Sequence, residues 1–199
     1  MNLSTGCFQD KLNINSTAVD FDPFAEGEVA FTAPATESQK EIWASVQMGI
    51  EANLAYNESQ SLRLKGELDT AALCNSLQYL VDRHEALRTT LSPDGTTLSI
   101  TDNLTLEIPQ LDLSNLSLEQ QQQEITNQKK QAVEQPFYLE HCPLFRVQIL
   151  KLNSQENLVI LTAHHIIFDG WSWGVLITEL GKVYQALKYG KIPELETVE

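Results

Sequence analysis

Ala163-His164-His165-Ile166-Ile167-Phe168-Asp169-Gly170-Trp171-Ser172-Trp173 is the stretch on which the reading of this chain turns. Before it stands Leu158-Val159-Ile160-Leu161, an unbroken apolar run that reads as a buried strand. After it, Gly174 to Leu187 carries apolar residues at helical spacing. Two histidines therefore sit where a buried strand ends and a helix begins, a place where α/β proteins commonly put chemistry. His165 can exchange a proton near neutral pH. Asp169 can accept a hydrogen bond or an arginine fork and so fix the loop. Gly170 gives backbone freedom and room for a substrate, and Ser172 is a candidate helix cap.

Adjacent histidines on a strand point to opposite faces, so one of them is open to a purely structural role, and His164 is assigned to it. An isolated His-His pair is more often structural than catalytic; an acid and a glycine at these offsets reverse those odds. The same opposed faces weaken a metal reading, although His164, His165 and Asp169 are ligand types. No metal site is expected.

His164-His165-Ile166-Ile167-Phe168-Asp169-Gly170-Trp171-Ser172 resembles the HHxxxDGxS motif of nonribosomal peptide synthetase condensation domains. Arg83-His84-Glu85-Ala86-Leu87-Arg88-Thr89-Thr90-Leu91 resembles a second motif of that family, RHExLRTxF, with Leu91 in place of Phe. Thr36-Glu37-Ser38-Gln39-Lys40-Glu41-Ile42-Trp43 resembles the opening SxAQxRxW-type motif, with Ser38 in place of Ala and Glu41 in place of Arg. HxxxDG alone is shared with chloramphenicol acetyltransferases and other acyltransferases of the superfamily.

The resemblance implies a chloramphenicol acetyltransferase-like lobe, an α/β sandwich of a mixed sheet with packed helices. It implies that residues 31–199 form the N-terminal lobe of a condensation domain, with the C-terminal lobe absent from this chain. The implied reaction joins a carrier-bound acyl or peptidyl thioester to an aminoacyl thioester through an amide, in a peptide or hybrid polyketide/peptide synthetase. The substrates ride on 4'-phosphopantetheine arms of upstream and downstream carrier domains, and no cofactor is bound. His165 is the catalytic candidate, as base or as orienting acceptor, and the Gly170 N–H is a candidate oxyanion donor. Arg83, Glu85 and Arg88 are expected to support the site, Glu85 and Arg88 through a buried ion-pair network. Arg88 is a candidate partner for Asp169. Two alternatives stay open: an acyl-CoA-dependent HxxxDG acyltransferase, and a non-catalytic half-domain that binds carriers.

A chain of 199 residues suits one domain with a core of useful size. Its net charge of −14 argues against non-specific binding to nucleic acid or to anionic membranes. Cys7, Cys74 and Cys142 follow no disulfide pattern, which suits reduced thiols in the cytoplasm. No segment is long and apolar enough to span a membrane.

Residues 1–30 are acidic and irregular and read as a disordered linker or docking tail. A helix opens at Thr36, with Gln39 completing a capping box, and its stripe runs through Ile42, Trp43, Val46 and Ile50. Asn53 to Asn57 is expected as loop and Glu58 to Gly66 as a half-buried strand. Asp69 caps a helix that runs to about His84. Strands are expected over 87–91 and 96–100, about the turn Ser92-Pro93-Asp94-Gly95, and over 105–109. A helix follows over 118–135, with Leu118, Ile125 and Val133 facing inward. A hairpin of 144–152 and 158–163 delivers the histidines, and Gly190 ends the last helix.

Overall fold

The structure, a computed structural model, describes residues 29–196. The expected tail therefore lies, as far as residue 28, outside the described residues. From Val29 the chain is already a strand, β1 (Val29–Pro34), antiparallel to β4 (Thr97–Thr101). With β3 (Thr89–Leu91) these form a small sheet in the order β1-β4-β3. The β3–β4 turn is built by Asp94, whose Oδ1 accepts from Ser92 Oγ at 2.6 Å, Thr96 Oγ1 at 2.8 Å and Thr96 N–H at 3.1 Å. Gly95 follows at φ +68°, and a Cβ there would stand 2.3 Å from the Trp43 ring, so indole and turn fit only around a glycine.

The main sheet has the order β2-β7-β6-β5, from β2 (Asn57–Lys65), β5 (Gln110–Asp112), β6 (Phe145–Asn153) and β7 (Glu156–His164). β2, β7 and β6 are antiparallel, whereas β5 runs parallel to β6. A parallel pair needs a crossover, and α4 (Leu118–Glu134) supplies it. Alternation along the strands sorts the core by face. Val159, Leu161 and Ala163 of β7, with Phe145, Val147 and Ile149 of β6, meet α3 (Thr70–Arg83) and α5 (Gly170–Lys188). Those helices contribute Leu73, Leu77, Leu80, Val81, Trp173, Leu176, Leu180 and Val183. Leu158 and Ile160 point the other way, toward Ile125 of α4. A third cluster joins Leu91, Phe137, Leu139 and Leu144 to Ile166 of the histidine turn, with Ile42, Trp43 and Val46 of α1 (Glu37–Val46) against it.

The mixed sheet with packed helices is the architecture that the motifs imply. Five local expectations change. The strand expected over 87–91 begins only at Thr89, after a 3-10 turn over Glu85–Arg88. The first helix stops at Gln47; Gly49, at φ +133°, separates it from a short α2 (Ile50–Leu54), so Ile50 is exposed. The strand expected over 105–109 forms instead at Gln110–Asp112, because the Gln78 side chain accepts the Leu106 N–H and donates to the Leu104 carbonyl. In α4, Leu118 is exposed at the helix start, and Ala132 joins Ile125 at the core. Asn53 to Asn57 is shared between the end of α2 and the start of β2. Among the described residues no helix is long and apolar enough to cross a membrane.

Candidate functional site

β7 pairs with β2 from Glu156 to His164, so the histidine turn leaves the sheet directly beside the start of β2. The His165 N–H donates to the Tyr56 carbonyl at 2.8 Å, and the His164 N–H to the Leu144 carbonyl at 3.0 Å. Gln39, from the first motif, donates from Nε2 to the Ile166 carbonyl at 3.2 Å. The turn is thus held from β2, from the approach to β6 and from α1.

His164 and His165 have separate environments. His164 is fully buried, with its Nδ1 accepting the Ile166 N–H at 3.2 Å and Phe137 edge-on to its ring. Burial, with His165 adding to it, pushes its imidazole down to about 4. The folded chain therefore keeps His164 neutral while the unfolded chain protonates it near 6.5. The contribution is complete above pH 6.5 and is lost as the pH falls toward 4. We expect it to cost at most about 3 kcal/mol. Urea unfolding of the parent and of His164→Asn at stepped pH checks this: the parent loses more stability across that window than the variant does.

The His165 side chain is 38% exposed. Its Nδ1 atom is buried, 2.7 Å from Glu58 Oε1, so the exposed surface belongs to the rest of the ring. The other carboxylate oxygen of Glu58 accepts the Trp173 indole N–H at 2.8 Å. Glu58 is the functional candidate that motif reading missed. Its signal was parity: Glu58 shares the core-facing side of β2 with Leu62 and Leu64, where an acid is out of place.

Asp169 caps α5, accepting from Ser172 N–H at 2.8 Å and Ser172 Oγ at 2.7 Å. Ser172 returns the bond to the Asp169 N–H at 3.3 Å, so it is the third residue of a capping box and not the cap. The Ser172 hydrogen bonds hold the Asp169 carboxyl below the usual carboxylate range. The expected Arg88–Asp169 pair does not form. Arg88 is buried and committed to backbone carbonyls: Nε to Val81 at 3.0 Å, Nη2 to Asp82 at 3.3 Å, and Nη1 to Asp102 at 3.3 Å and to Thr101. Nor do Glu85 and Arg88 form a buried ion pair. Glu85 is exposed on the 3-10 turn Glu85–Arg88, and it is its carbonyl that accepts, from Thr89 Oγ1 at 2.8 Å. Arg83 and His84 reach α5 instead, with Glu179 Oε2 lying 3.4 Å from Arg83 Nε and 2.6 Å from His84 Nε2.

Asp169→Ala therefore removes a cap and leaves no buried cation stranded. The expected loss is about 1 kcal/mol, seen as a fall in Tm of about 2–4 °C. An unchanged Tm with loss of activity would instead give Asp169 a direct part in the chemistry. As the first residue of α5, Gly170 has no intrahelical partner for its N–H, and the helix dipole points its positive end there. Trp171, next on that turn, is 82% exposed.

The arrangement is a histidine at a strand end beside a helix N-terminus, suited to receiving a proton next to a developing oxyanion. Residues 29–199 match the model of the condensation domain family. One polypeptide of the linear gramicidin synthase of Brevibacillus parabrevis is 35% identical over 164 residues, covering 81% of this chain and 2% of that protein. A substituted starter condensation domain of the rhizomide synthetase, solved in complex with C8-CoA, superposes with a TM-score of 0.75 at 26% identity. That match covers 82% of this chain and 38% of that one. A solved complex of the X-domain and OxyB from teicoplanin biosynthesis matches with a TM-score of 0.72 at 27% identity, over 82% of this chain and 35% of that one. The fold is thus the chloramphenicol acetyltransferase-like fold of condensation domains. The chain belongs to the condensation domain family of nonribosomal peptide synthetases. It spans 2% of the length of the gramicidin synthase polypeptide and well under half of the solved domains.

Proposed function

We propose that residues 29–199 supply the histidine-bearing lobe of a site that forms an amide between two carrier-bound thioesters. The α-amine of the acceptor attacks the donor carbonyl carbon, the C–N bond forms, and the C–S bond then breaks to release the donor arm as a thiol. His165 receives a proton of the amine as that bond forms and returns it to the departing thiolate as the C–S bond breaks, and the Gly170 N–H lies toward the oxyanion. Holding two thioesters in line provides most of the acceleration, because effective molarity contributes about 7–11 kcal/mol. The carrying observation is the half-open imidazole of His165 near the start of α5, where the Gly170 N–H has no partner within the helix. Exposed Trp171 on that turn suits a facing surface. That surface is a second lobe, from further sequence or another polypeptide, and the arms belong to upstream and downstream carrier domains.

The test loads donor and acceptor carriers on their phosphopantetheine arms and reads amide product by mass spectrometry. The chain is added alone and with a C-terminal condensation lobe. Product that requires the second lobe supports the proposal; turnover of free acyl-CoA with a soluble amine, without carriers, would favour an acyl-CoA-dependent acyltransferase. The likeness to an X-domain solved in complex with OxyB favours one second reading, a lobe that serves to bind a partner protein. Carrier binding with no product in either mixture identifies that case.

A further inference from the structure

We infer that Glu58 is the positioning residue of this site: it holds the His165 imidazole with its hydrogen on Nδ1, so that Nε2 is the atom presented outward. That Nε2 meets an amine rests on the function proposed above; the control of the tautomer by Glu58 does not. Glu58 pairs with Ala163 in the β2–β7 ladder and so projects onto the face covered by α3 and α5. Glu58, Gln60, Leu62 and Leu64 share that side, and the row that packs the core at Leu62 and Leu64 ends in a carboxylate. A half-buried acid there needs partners.

It has two, one on each oxygen. Oε2 accepts the indole N–H of Trp173, whose ring is buried edge-on against Phe168 at 4.7 Å between centroids. That bond fixes the carboxylate from a rigid anchor. Oε1 stands 2.7 Å from Nδ1 of His165, which has no other acceptor among the described residues. The contact is close in distance but bent away from the N–H direction, so the carboxylate acts on the ring through its charge at ion-pair range. Tyr56, two residues before Glu58, lays its ring nearly parallel to the imidazole, with 6.4 Å between centroids and 14° between planes. One short segment thus brackets the ring by face and by edge.

A neutral imidazole has a hydrogen on one nitrogen and a lone pair on the other, and the partner of the first decides which is which. A carboxylate only accepts, so it selects Nδ1–H and leaves the lone pair on Nε2. When Nε2 takes a proton, the same carboxylate faces the imidazolium. A glutamine in its place can still accept from Trp173 through its oxygen, but it turns an amide N–H toward Nδ1 and selects the opposite tautomer.

Nitrogen-15 spectra of the uniformly labelled full chain, taken in alkaline buffer where imidazole rings are neutral, test this without any assay of turnover. The resonances of His165 are those lost in His165→Ala. The parent is expected to show a protonated Nδ1 and a bare Nε2. Glu58→Gln is expected to exchange the two patterns while the Trp173 indole resonance stays in place, and Glu58→Asp to keep the parental pattern. A parent already in the Nε2–H form, or a Glu58→Gln spectrum matching the parent, overturns the inference. With carriers and the second lobe, Glu58→Gln is expected to lower kcat about 10²-fold at unchanged KM. Exchanged tautomers with parental kcat overturn the role of Glu58 in the reaction. A parent that makes no amide but shows the expected tautomers refutes the proposed function and leaves the Glu58 assignment standing.

Discussion

His165→Ala is expected to lower the rate of amide formation about 10²–10⁴-fold and to leave the melting temperature close to that of the parent. The small effect on stability follows from the surroundings of the ring. Its side chain is more than a third exposed, and the bond that secures the turn here is from its backbone N–H to Tyr56, which alanine keeps. The large effect on rate follows because neither of the other titratable groups of the histidine turn can stand in for it. His164 is sealed in the core, its Nδ1 already accepting from Ile166, and Asp169 is engaged in capping α5. Alignment of the two thioesters persists in the variant, so the residual rate should stay well above that of the free thioesters. Product formation from loaded carriers with the second lobe added, read beside a thermal melt of the same preparation, checks both halves. Parental turnover in a folded variant refutes the catalytic assignment of His165.

Arg88→Ala has the largest expected effect on stability. The guanidinium ties the C-terminal carbonyls of α3, Val81 and Asp82, to those at the end of β4, Thr101 and Asp102. Deleting it strips partners from buried acceptors, each worth about 1–3 kcal/mol. The sum is about 3 kcal/mol or more, and Tm falls by about 6–12 °C. Arg88→Lys should recover little, since a point-like ammonium cannot span carbonyls that a planar fork reaches. Urea midpoints of parent, Ala and Lys forms decide: a lysine variant as stable as the parent would mean that charge alone, not the fork, matters at this position.

What could be read before the structure was known divides along physical lines. Caps and turns are local chemistry, so the Thr36–Gln39 capping box and the Asp69 cap were visible in a few consecutive letters. So was the hairpin that ends in His164, because its buried strand is an unbroken apolar run. β1 left no such mark. Its residues are mostly exposed, and its pairing with β4 is a matter of backbone. The Arg83 to Leu91 motif announced that its residues matter but not what they touch: Arg88 is spent on carbonyls, which carry no letter in a sequence. The cap expected at Ser172 falls on Asp169, since both are good caps and only the start of α5 decides between them. The Glu58–His165 contact joins residues far apart in the chain, and only the parity of β2 hinted at it.

The three-way suspension of the histidine turn has a consequence for the order in which the chain assembles. Gln39 grips Ile166 across 127 positions, and Tyr56 grips His165 across nearly as many. Such ties have no local precursor and must await closure of the longest loops, the slow part of folding. A polypeptide emerging from the ribosome is therefore expected to lack an ordered histidine turn until β7 has docked beside β2. In the finished molecule the same ties make the amide of His165 a reporter of whole-sheet opening, so its hydrogen should exchange with the slowest class and not with the surface turns.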